Sequence, residues 1–416
     1  MGHPMEMLKD KTALPFDANE ARKDFPVLTA NPDVTFLDTA ASAQKPQQVI
    51  DAVSDCYSRY YANIHRGVYK FSQQSTKAFE DARKTVAGFI NAESEKSIVF
   101  TRGATESINL VAQTWGRENL TRGDKILITE MEHHANIVPW QMLREQLGVE
   151  LAVCPITDSG TVDMAEFEKH LEGVKLVAIT QMSNAIGTRP PLEQMLAKAH
   201  EKGITTLVDG CQGVVHTPVD VQKLNCDFYV FSGHKLYGPS GIGVLYGKKE
   251  LLDAMPPYQG GGEMISSVTF EKTTYAPTPG KFEAGTPHIA GAIGLAAAID
   301  YINGWGQENI FAYENALNAK ATKALKAIPG LTLYGTAPNR EAILSFTVDA
   351  VHPHDMGTIL DDSGVAVRAG HHCAQPLMKR FGLPATTRAS LGLYNTEQDV
   401  DNLVKAIKKA QELFRG

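Results

Sequence analysis

Short apolar runs alternate with segments whose apolar positions recur every three or four residues, from about residue 75 to residue 250. The runs predict buried strands, the periodic segments predict helices, and their alternation predicts an α/β fold with a mostly parallel seven-stranded sheet. The predicted strands are Ile98–Thr101, Lys125–Thr129, Leu151–Cys154, Leu176–Thr180, Ile204–Asp209, Phe228–Ser232 and Ile242–Tyr246. The predicted helices are Ser75–Ile90, Thr105–Trp115, Ile137–Leu147, Asp163–Leu171 and Leu192–Lys202.

The rest of the chain has a different pattern. Glycine and proline are frequent from Tyr258 to Thr286, which predicts a long ordered loop. A smaller α/β domain is predicted beyond it, so we place a large domain at residues 30–296 and a small one at residues 297–416. The elements predicted after the loop are helices His288–Ile302 and Gln307–Ala327, strands Ile343–Val348, Ala366–Arg368 and Thr387–Leu391, and helix Thr396–Phe414.

The length and composition of the chain exclude several classes of function. A chain of 416 residues exceeds one ordinary core, which agrees with two domains, and its net charge of -7 argues against a nucleic-acid surface. The longest apolar stretch, Ile289–Ile299, is shorter than the ~20 residues of a membrane span. The first ten residues lack the apolar core of a signal peptide, and the five cysteines contain no Cys-x-x-Cys pair. We therefore expect a cytoplasmic protein without a disulfide framework.

Two predicted strands end in residues that suit one cofactor. The run Phe228–Phe231 leads into Ser232-Gly-His-Lys235, and the strand Ile204–Asp209 ends in a carboxylate. Apolar surroundings favour the neutral amine that imine formation requires, and ligands gather beyond the carboxyl ends of parallel strands. Alone, Lys235 could be a solvated lysine and Asp209 a helix cap. Together they favour pyridoxal phosphate (PLP), whose aldehyde the lysine holds and whose pyridinium proton the aspartate holds.

Longer motifs carry a family resemblance. Val208-Asp-Gly-Cys-Gln212 and Ser232-Gly-His-Lys-Leu-Tyr-Gly-Pro239 resemble the aminotransferase class V group of fold-type I PLP enzymes. Arg368-Ala-Gly-His-His-Cys-Ala-Gln-Pro376 resembles cysteine desulfurases of the Suf type (group II). The resemblance extends from about Phe25 to Phe414. It implies a PLP-binding large domain, a small domain on which residues 1–29 pack, and a homodimer.

We predict the cofactor-binding residues partly from local sequence patterns and partly from the family resemblance. The segment Phe100–Asn109 reads as a strand, a glycine turn and the start of a helix. The free amides of that helix start and the Thr105 hydroxyl could bind a phosphate, although a capped turn has the same pattern. The resemblance implies that Ser232 and His234 contact this phosphate, as does Thr286 from the neighbouring subunit. It also implies that His133 stacks on the pyridine ring and that Gln212 binds the phenolic oxygen.

A metal site is the alternative for the paired histidines. His133 and His134 are adjacent, and so are His371, His372 and Cys373. Adjacent residues rarely both reach one ion, and no spaced pair of ligands accompanies them. We therefore expect no metal.

Substrate binding requires a fixed cation. Arg388 opens an apolar strand, where a guanidinium could bind a carboxylate through two hydrogen bonds. It matches the carboxylate-binding arginine of the resembled family, in which Asn184 would assist. Arg368, His65 and Arg66 match further active-site positions, although His65 could equally cap a helix.

The candidate nucleophile is Cys373. It lies in a polar loop with His371, His372 and Arg368, whose positive charges would favour the reactive thiolate. Gly364 and Gly370 are expected to let this loop move.

The resemblance also implies a reaction. L-cysteine would become L-alanine, with a persulfide on Cys373 that passes to a SufE-type or SufU-type acceptor for iron–sulfur cluster assembly. Lys235 would move the substrate proton. A selenocysteine lyase remains the nearest alternative. A non-catalytic sulfur carrier is disfavoured because it has no use for Lys235, Asp209 and Arg388.

Overall fold

The computed structural model describes residues 16–414, which contain fifteen strands and seventeen α-helices. The strands are β1 (Thr35–Phe36), β2 (Ile98–Thr101), β3 (Lys125–Thr129), β4 (Glu150–Cys154), β5 (Val174–Thr180), β6 (Thr205–Asp209), β7 (Phe228–Ser232), β8 (Gly243–Gly247), β9 (Ile265–Val268), β10 (Thr273–Tyr275), β11 (Leu331–Tyr334), β12 (Ile343–Val348), β13 (Val365–Ala366), β14 (Arg368–Gly370) and β15 (Thr386–Ser390). The helices are α1 (Ala18–Lys23), α2 (Pro26–Ala30), α3 (Gln47–Asp55), α4 (Lys70–Phe89), α5 (Ala104–Val111), α6 (Arg117–Asn119), α7 (Val138–Leu147), α8 (Met164–His170), α9 (Leu192–Glu201), α10 (Gly213–His216), α11 (Val221–Leu224), α12 (Lys249–Ala254), α13 (Ile289–Trp305), α14 (Gln307–Lys326), α15 (Pro353–Asp361), α16 (Gln375–Arg380) and α17 (Glu397–Phe414).

A seven-stranded sheet forms the centre of the molecule, in the order β2-β8-β7-β6-β5-β3-β4. The pairs β3–β4, β3–β5, β5–β6 and β6–β7 are parallel, whereas β8 is antiparallel to both of its neighbours. All five residues of β7 and of β8 are buried, as expected for strands covered on both faces. The predicted mostly parallel α/β fold is confirmed.

A second, four-stranded sheet has the order β11-β12-β15-β14 and is antiparallel throughout. The N-terminal segment joins this part of the molecule. Strand β1 pairs in parallel with β13, and the Arg22 guanidinium lies 3.3 Å from the Asp399 carboxylate of α17. Helix α13 runs without interruption across residue 296. The predicted domain boundaries stay predictions, and residues 1–15 of the predicted packing segment lie outside the described residues.

Several sequence predictions were incomplete. The predicted loop Tyr258–Thr286 contains the antiparallel hairpin β9–β10, whose mostly exposed, polar strands lack an apolar run. The predicted strand Ala366–Arg368 is divided between β13 and β14, which pair with different strands. Besides this hairpin, the elements missed from the sequence are β1, β11, α1, α2, α3, α6, α10, α11, α12, α15 and α16.

Helix α13 contains the longest apolar stretch of the chain and lies inside the protein, where it packs against α3 and α4. A helix that is apolar around its whole circumference is typical of such a buried position. Within residues 16–414, no helix is both long and apolar enough to cross a membrane. The signal-peptide prediction concerns the first ten residues, which lie outside that range.

Candidate active site

A cavity of about 380 Å³ lies at the carboxyl ends of β6 and β7, facing the residues around β14 and β15. Ten of the predicted site residues line it: Thr105, His133, Asn184, Asp209, Ser232, His234, Lys235, Arg368, Cys373 and Arg388. A larger cavity of about 740 Å³ between α14 and residues 333–341 contains none of them. The chemistry of the lining, rather than the size of the cavity, therefore identifies the candidate site.

The lysine and the aspartate reach the cavity from adjacent strands. Asp209 ends β6, is 5% exposed, and accepts a hydrogen bond at Oδ1 from the Cys211 amide at 3.0 Å. Ser232 ends β7, and the 3₁₀ turn Gly233–Lys235 places Lys235 at the same sheet edge. Because β6 and β7 are parallel neighbours, both strand ends lie side by side. No described residue forms a hydrogen bond or ion pair with Lys235 Nζ, so this amine is available to a ligand.

A close backbone contact positions the start of α5. A Cβ atom at Gly243 would lie 2.3 Å from the Gly103 backbone, so β8 packs directly beneath the Gly103 turn. The next amide, that of Ala104, donates to Ser232 Oγ at 2.9 Å. The Ser232 hydroxyl accepts this bond, which leaves its own hydrogen for a ligand. The exposed Thr105 hydroxyl lies in the first turn of the same helix.

The two cavity histidines on this side are neutral at pH 7. Burial, and then the charges of Lys235 and Lys45, lower the pKa of His234 to about 4. Burial, and then Lys235, lower the pKa of His133 to about 4 as well. The His133 Nδ1 atom accepts a hydrogen bond from the Ala135 amide at 3.0 Å, so Nε2 carries the proton. Among residues 16–414, no group of three or more His, Cys, Asp or Glu side chains is arranged to hold a metal ion.

Sequence reasoning missed a buried acid next to His133 in the chain. Glu132 is fully buried and accepts hydrogen bonds from Thr129 Oγ1 at 2.7 Å, the Thr180 amide at 3.1 Å and Asn136 Nδ2 at 2.7 Å. Burial raises the pKa of Glu132 to about 7, against the lowering effect of these donors. The only signal in the sequence is an acid beside His133 after a buried strand.

The arginines of the opposite half meet at one carboxylate. Arg388 is 2% exposed; its Nη1 donates to the Asn184 carbonyl at 2.8 Å and its Nη2 to Asp38 Oδ1 at 3.2 Å. Arg368 Nη2 lies 2.8 Å from Asp38 Oδ2. Burial lowers the pKa of Arg388 to about 10, so it remains charged at pH 7. Asp38 was missed because it belongs to no motif and lies 330 and 350 residues from its partners.

The loop that carries Cys373 is held in place by residues that follow β3 and β5 of the seven-stranded sheet. Asn184 Nδ2 donates to the His372 carbonyl at 2.6 Å, and the His134 amide donates to the Cys373 carbonyl at 2.8 Å. His372 and Cys373 have φ values of 55° and 54°, which non-glycine residues rarely adopt. Gly364 lies in the turn before β13, where a Cβ atom would meet the Asp33 carbonyl oxygen at 2.8 Å, and β13 and β14 separate it from Cys373. Movement of the loop at Gly364 and Gly370 stays a prediction.

The charges around Cys373 differ from the prediction. The thiol is exposed, as a reactive cysteine requires. Burial, and then Arg388, lower the pKa of His372 to about 3, and its Nε2 atom lies 2.8 Å from Thr386 Oγ1. His372 is therefore neutral and adds no charge that would favour the thiolate. Arg368 keeps its positive charge beside the loop.

Four predicted site residues lie outside the cavity lining. Gln212 is 2% exposed and donates from Nε2 to the carbonyl of Ala40, itself a lining residue, at 2.8 Å. The other three lie elsewhere on the surface of the described chain: His65 is 3.0 Å from Glu80, Arg66 is 3.3 Å from Glu263, and Thr286 is exposed.

The profile of the aminotransferase class-V family matches residues 35–403. The chain belongs to the aminotransferase class-V family. It is 50% identical over 403 residues to a cysteine desulfurase of Synechococcus elongatus, covering 96% of this chain but 64% of that longer protein. It is also 50% identical over 404 residues to a cysteine desulfurase of Pectobacterium carotovorum, covering 96% of this chain and 99% of the other.

A solved structure shows the same architecture. The crystal structure of the cysteine desulfurase CsdA from Escherichia coli superposes with a TM-score of 0.90 at 43% identity, over 96% of this chain and 99% of the other. This class-V fold agrees with the seven-stranded sheet and the position of the cavity at its edge.

Proposed function

We propose that this chain is a PLP-dependent cysteine desulfurase of the Suf type (group II), which converts L-cysteine to L-alanine and leaves a persulfide on Cys373. The observation that carries the proposal is the lining of one cavity by Lys235, Asp209, Arg388 and an exposed cysteine. Relatives about 50% identical over nearly the whole chain are named cysteine desulfurases, which supports the same activity here.

The residues present fit the cofactor. A volume of about 380 Å³ lies in the range of about 300–1,000 Å³ that is usual for ligand pockets. The N-terminus of α5, with the hydroxyls of Thr105 and Ser232 and the N–H of His234, suits the phosphate. The Asp209 carboxylate would keep the pyridine nitrogen protonated, Lys235 would hold the aldehyde, and His133 would cover the ring.

Gln212 fits the cofactor as well. Its Oε1 atom is buried and has no hydrogen-bond partner among the described residues, while Nε2 contacts the cavity wall at Ala40. This amide would hold the phenolic oxygen of the cofactor. When bound, PLP supplies the electron sink that allows the α-proton of an amino acid to leave.

The remaining residues bind the substrate and move its proton. The Arg388 guanidinium is buried and charged, so it would bind the substrate carboxylate, while the Asn184 carbonyl holds Nη1 in place. The Lys235 amine would take the proton from the substrate Cα. Arg368 would keep the charge of the site positive beside Cys373.

Cys373 would then accept the sulfur. Its thiolate attacks the substrate Sγ, a sulfur–sulfur bond forms, and the Cβ–Sγ bond breaks. The electron pair of that bond stays with the carbon fragment, which takes up one proton at Cβ, regains one at Cα from Lys235 and becomes alanine. The exposed position of Cys373 would allow the persulfide to pass by thiol exchange to a SufE-type or SufU-type acceptor for iron–sulfur cluster assembly. A cytoplasmic location remains a prediction from the sequence.

A homodimer would explain why three of the predicted site residues lie outside the cavity. Thr286, His65 and Arg66 are exposed, and the Gly285 amide bonds to the Gly262 carbonyl beside Glu263, the partner of Arg66. Large apolar side chains are exposed next to His65 and Arg66, and such patches favour association. They are Tyr57, Tyr61, Val68, Tyr69 and Phe71. We propose that this surface completes the cavity of a second copy. A fully active monomer in sedimentation experiments would contradict this arrangement.

One assay tests the function directly. The purified holoenzyme should form L-alanine from L-cysteine in amounts equal to the sulfide released by a reductant. Mass spectrometry without reductant should find one additional sulfur atom on the peptide that contains Cys373. Formation of pyruvate or of a transaminated product, without a persulfide, would refute the proposal.

A further inference from the structure

The cavity of about 740 Å³ lies between α14 and residues 333–341, which contain the connection from β11 to β12. It shares no lining residue with the cavity at the carboxyl ends of β6 and β7. Its volume lies in the range of about 300–1,000 Å³ that is usual for ligand pockets. The proposed desulfurase reaction uses none of its residues, so the cavity is free for a different ligand.

The wall of this cavity contains a buried arginine without an ionic partner. Arg340 is 9% exposed; its Nη1 donates to the Ile343 carbonyl at 3.4 Å and its Nη2 to Thr322 Oγ1. It forms no ion pair with any described residue. Burial lowers the pKa of Arg340 to about 10, so the guanidinium is charged at pH 7. A buried charge without a counter-charge is unfavourable, and an anion bound in the cavity would offset it.

The other buried arginines of the described chain are each paired with a carboxylate. Arg83 Nη1 lies 2.6 Å from Glu283, and Arg388 Nη2 lies 3.2 Å from Asp38. Burial of an arginine in this fold is thus accompanied by a counter-charge, except at Arg340. A guanidinium has more N–H donors than the two bonds of Arg340 use, so donors remain for a ligand.

The remaining charges of the lining also favour an anion. Lys323 and Lys326 are exposed on α14, line the same cavity and form no ion pair with a described residue. The one acidic residue of the lining, Glu341, already has a cation, because its Oε1 atom lies 2.9 Å from Arg189 Nη1. A doubly charged group such as a phosphate monoester suits three neighbouring cations better than a single carboxylate does.

Two buried acceptors in the lining require hydrogen-bond donors from a ligand. Asn318 Oδ1 and Glu341 Oε2 have no hydrogen-bond partner among the described residues. Asn318 is held in place because its Nδ2 donates to the Arg340 carbonyl at 2.9 Å. An anion alone would leave both acceptors unsatisfied, which is costly in a buried position. A ligand that also carries hydroxyl groups would satisfy them.

We propose that this cavity binds a small phosphate monoester that carries hydroxyl groups. Its phosphate lies at Arg340, Lys323 and Lys326, and its hydroxyls donate to Asn318 and Glu341. This site is separate from the proposed desulfurase chemistry and does not depend on it.

The test is isothermal titration calorimetry of the holoenzyme with glycerol 3-phosphate, inorganic phosphate and glycerol. Bound PLP keeps the phosphate site at α5 filled. Wild type should bind glycerol 3-phosphate saturably and more tightly than inorganic phosphate, and should not bind glycerol. Arg340→Gln should weaken glycerol 3-phosphate binding by about tenfold or more, since it removes charged hydrogen bonds. Arg117→Gln removes the same charge from the exposed side of α6 and should leave the affinity unaltered.

A second variant covers the case in which Arg340→Gln does not fold. Lys323→Gln combined with Lys326→Gln changes only exposed positions, and should lower the affinity for both phosphates by about tenfold. The proposal is overturned if wild type shows no saturable binding, or if these variants bind glycerol 3-phosphate as tightly as wild type does. Equal affinity of wild type for glycerol 3-phosphate and inorganic phosphate would overturn the assignment of a hydroxylated ester. Because no turnover is measured, a failure here is distinct from a failure of the proposed function.

Discussion

The two halves of the cavity differ in how their residues are brought together. In the half built on the seven-stranded sheet, Asp209, Ser232 and Lys235 lie within one stretch of chain at the ends of neighbouring strands. In the other half, Asp38 and Arg388 meet across 350 residues, and Arg388 bonds to Asn184 across 204. The first half therefore depends on sheet topology, whereas the second depends on packing between the two sheets.

The two halves of the cavity therefore suit two different kinds of chemistry. Asp209 and Ser232 are buried at the ends of paired strands, which suits a cofactor that must be held in one orientation. The arginines and Cys373 are held by hydrogen bonds between side chains and loops, such as that from Asn184 Nδ2 to the His372 carbonyl. Loss of Lys235 or Asp209 from the first half should thus abolish the chemistry altogether, whereas changes in the second half should remove single steps.

The largest effect is expected from Lys235→Ala in the sheet half. No other described lysine lines the cavity, so the variant should lose covalent cofactor attachment and proton transfer at Cα. Turnover of L-cysteine should fall by more than about a hundredfold, in line with the loss of a general base. The measurements are alanine formation and the visible absorbance that borohydride removes from wild-type protein. Lys202→Ala, exposed beyond α9, is the matched control. Undiminished turnover in Lys235→Ala would show that the sheet half does not supply an essential lysine.

A smaller and more selective effect is expected from Cys373→Ala in the other half. Cofactor binding should persist, because the sheet half is untouched, but alanine formation from L-cysteine should be nearly abolished. L-selenocysteine should be affected less, since a selenol is more acidic than a thiol and the carbon–selenium bond is weaker. The measurement is alanine release from both substrates by wild type and variant.

Cys211→Ser tests whether the other cysteine of the cavity could take the sulfur. Cys211 is buried, and burial followed by the charge of Asp209 raises the pKa of its thiol to about 12. Its thiolate is therefore scarce at pH 7, and the persulfide should still form on Cys373 in this variant. A Cys373→Ala variant that desulfurates L-cysteine at the wild-type rate would instead assign the role to Cys211.

The same difference explains how much could be predicted from the sequence. Asp209 and Lys235 end buried apolar runs, and that pattern by itself predicts their meeting at one sheet edge. Arg388 was recognisable as a charge within an apolar strand. Asp38 gave no such signal, because its role arises only when β1 packs beside β13 and brings it to β14 and β15. The neutrality of His372 could not be predicted either, because it follows from burial, which the sequence of a loop does not reveal.

The smallest effect expected concerns stability and sharpens the description of the sheet half. The pKa of Glu132 is about 7 in the folded protein and lies near its ordinary value of 4.5 when unfolded. The folded state therefore binds this proton more tightly, and its contribution to stability is complete below about pH 4.5 and lost as the pH rises through about 7. Between about pH 5 and pH 8 this loss should reach at most about 3 kcal/mol.

Glu132→Gln lacks the titrating group, so its free energy of unfolding should vary less over this interval than that of wild type. Denaturant unfolding at both pH values measures the difference, with Glu145→Gln on the exposed face of α7 as control. Equal pH dependence in wild type and Glu132→Gln would show that the buried carboxyl next to His133 keeps its ordinary pKa.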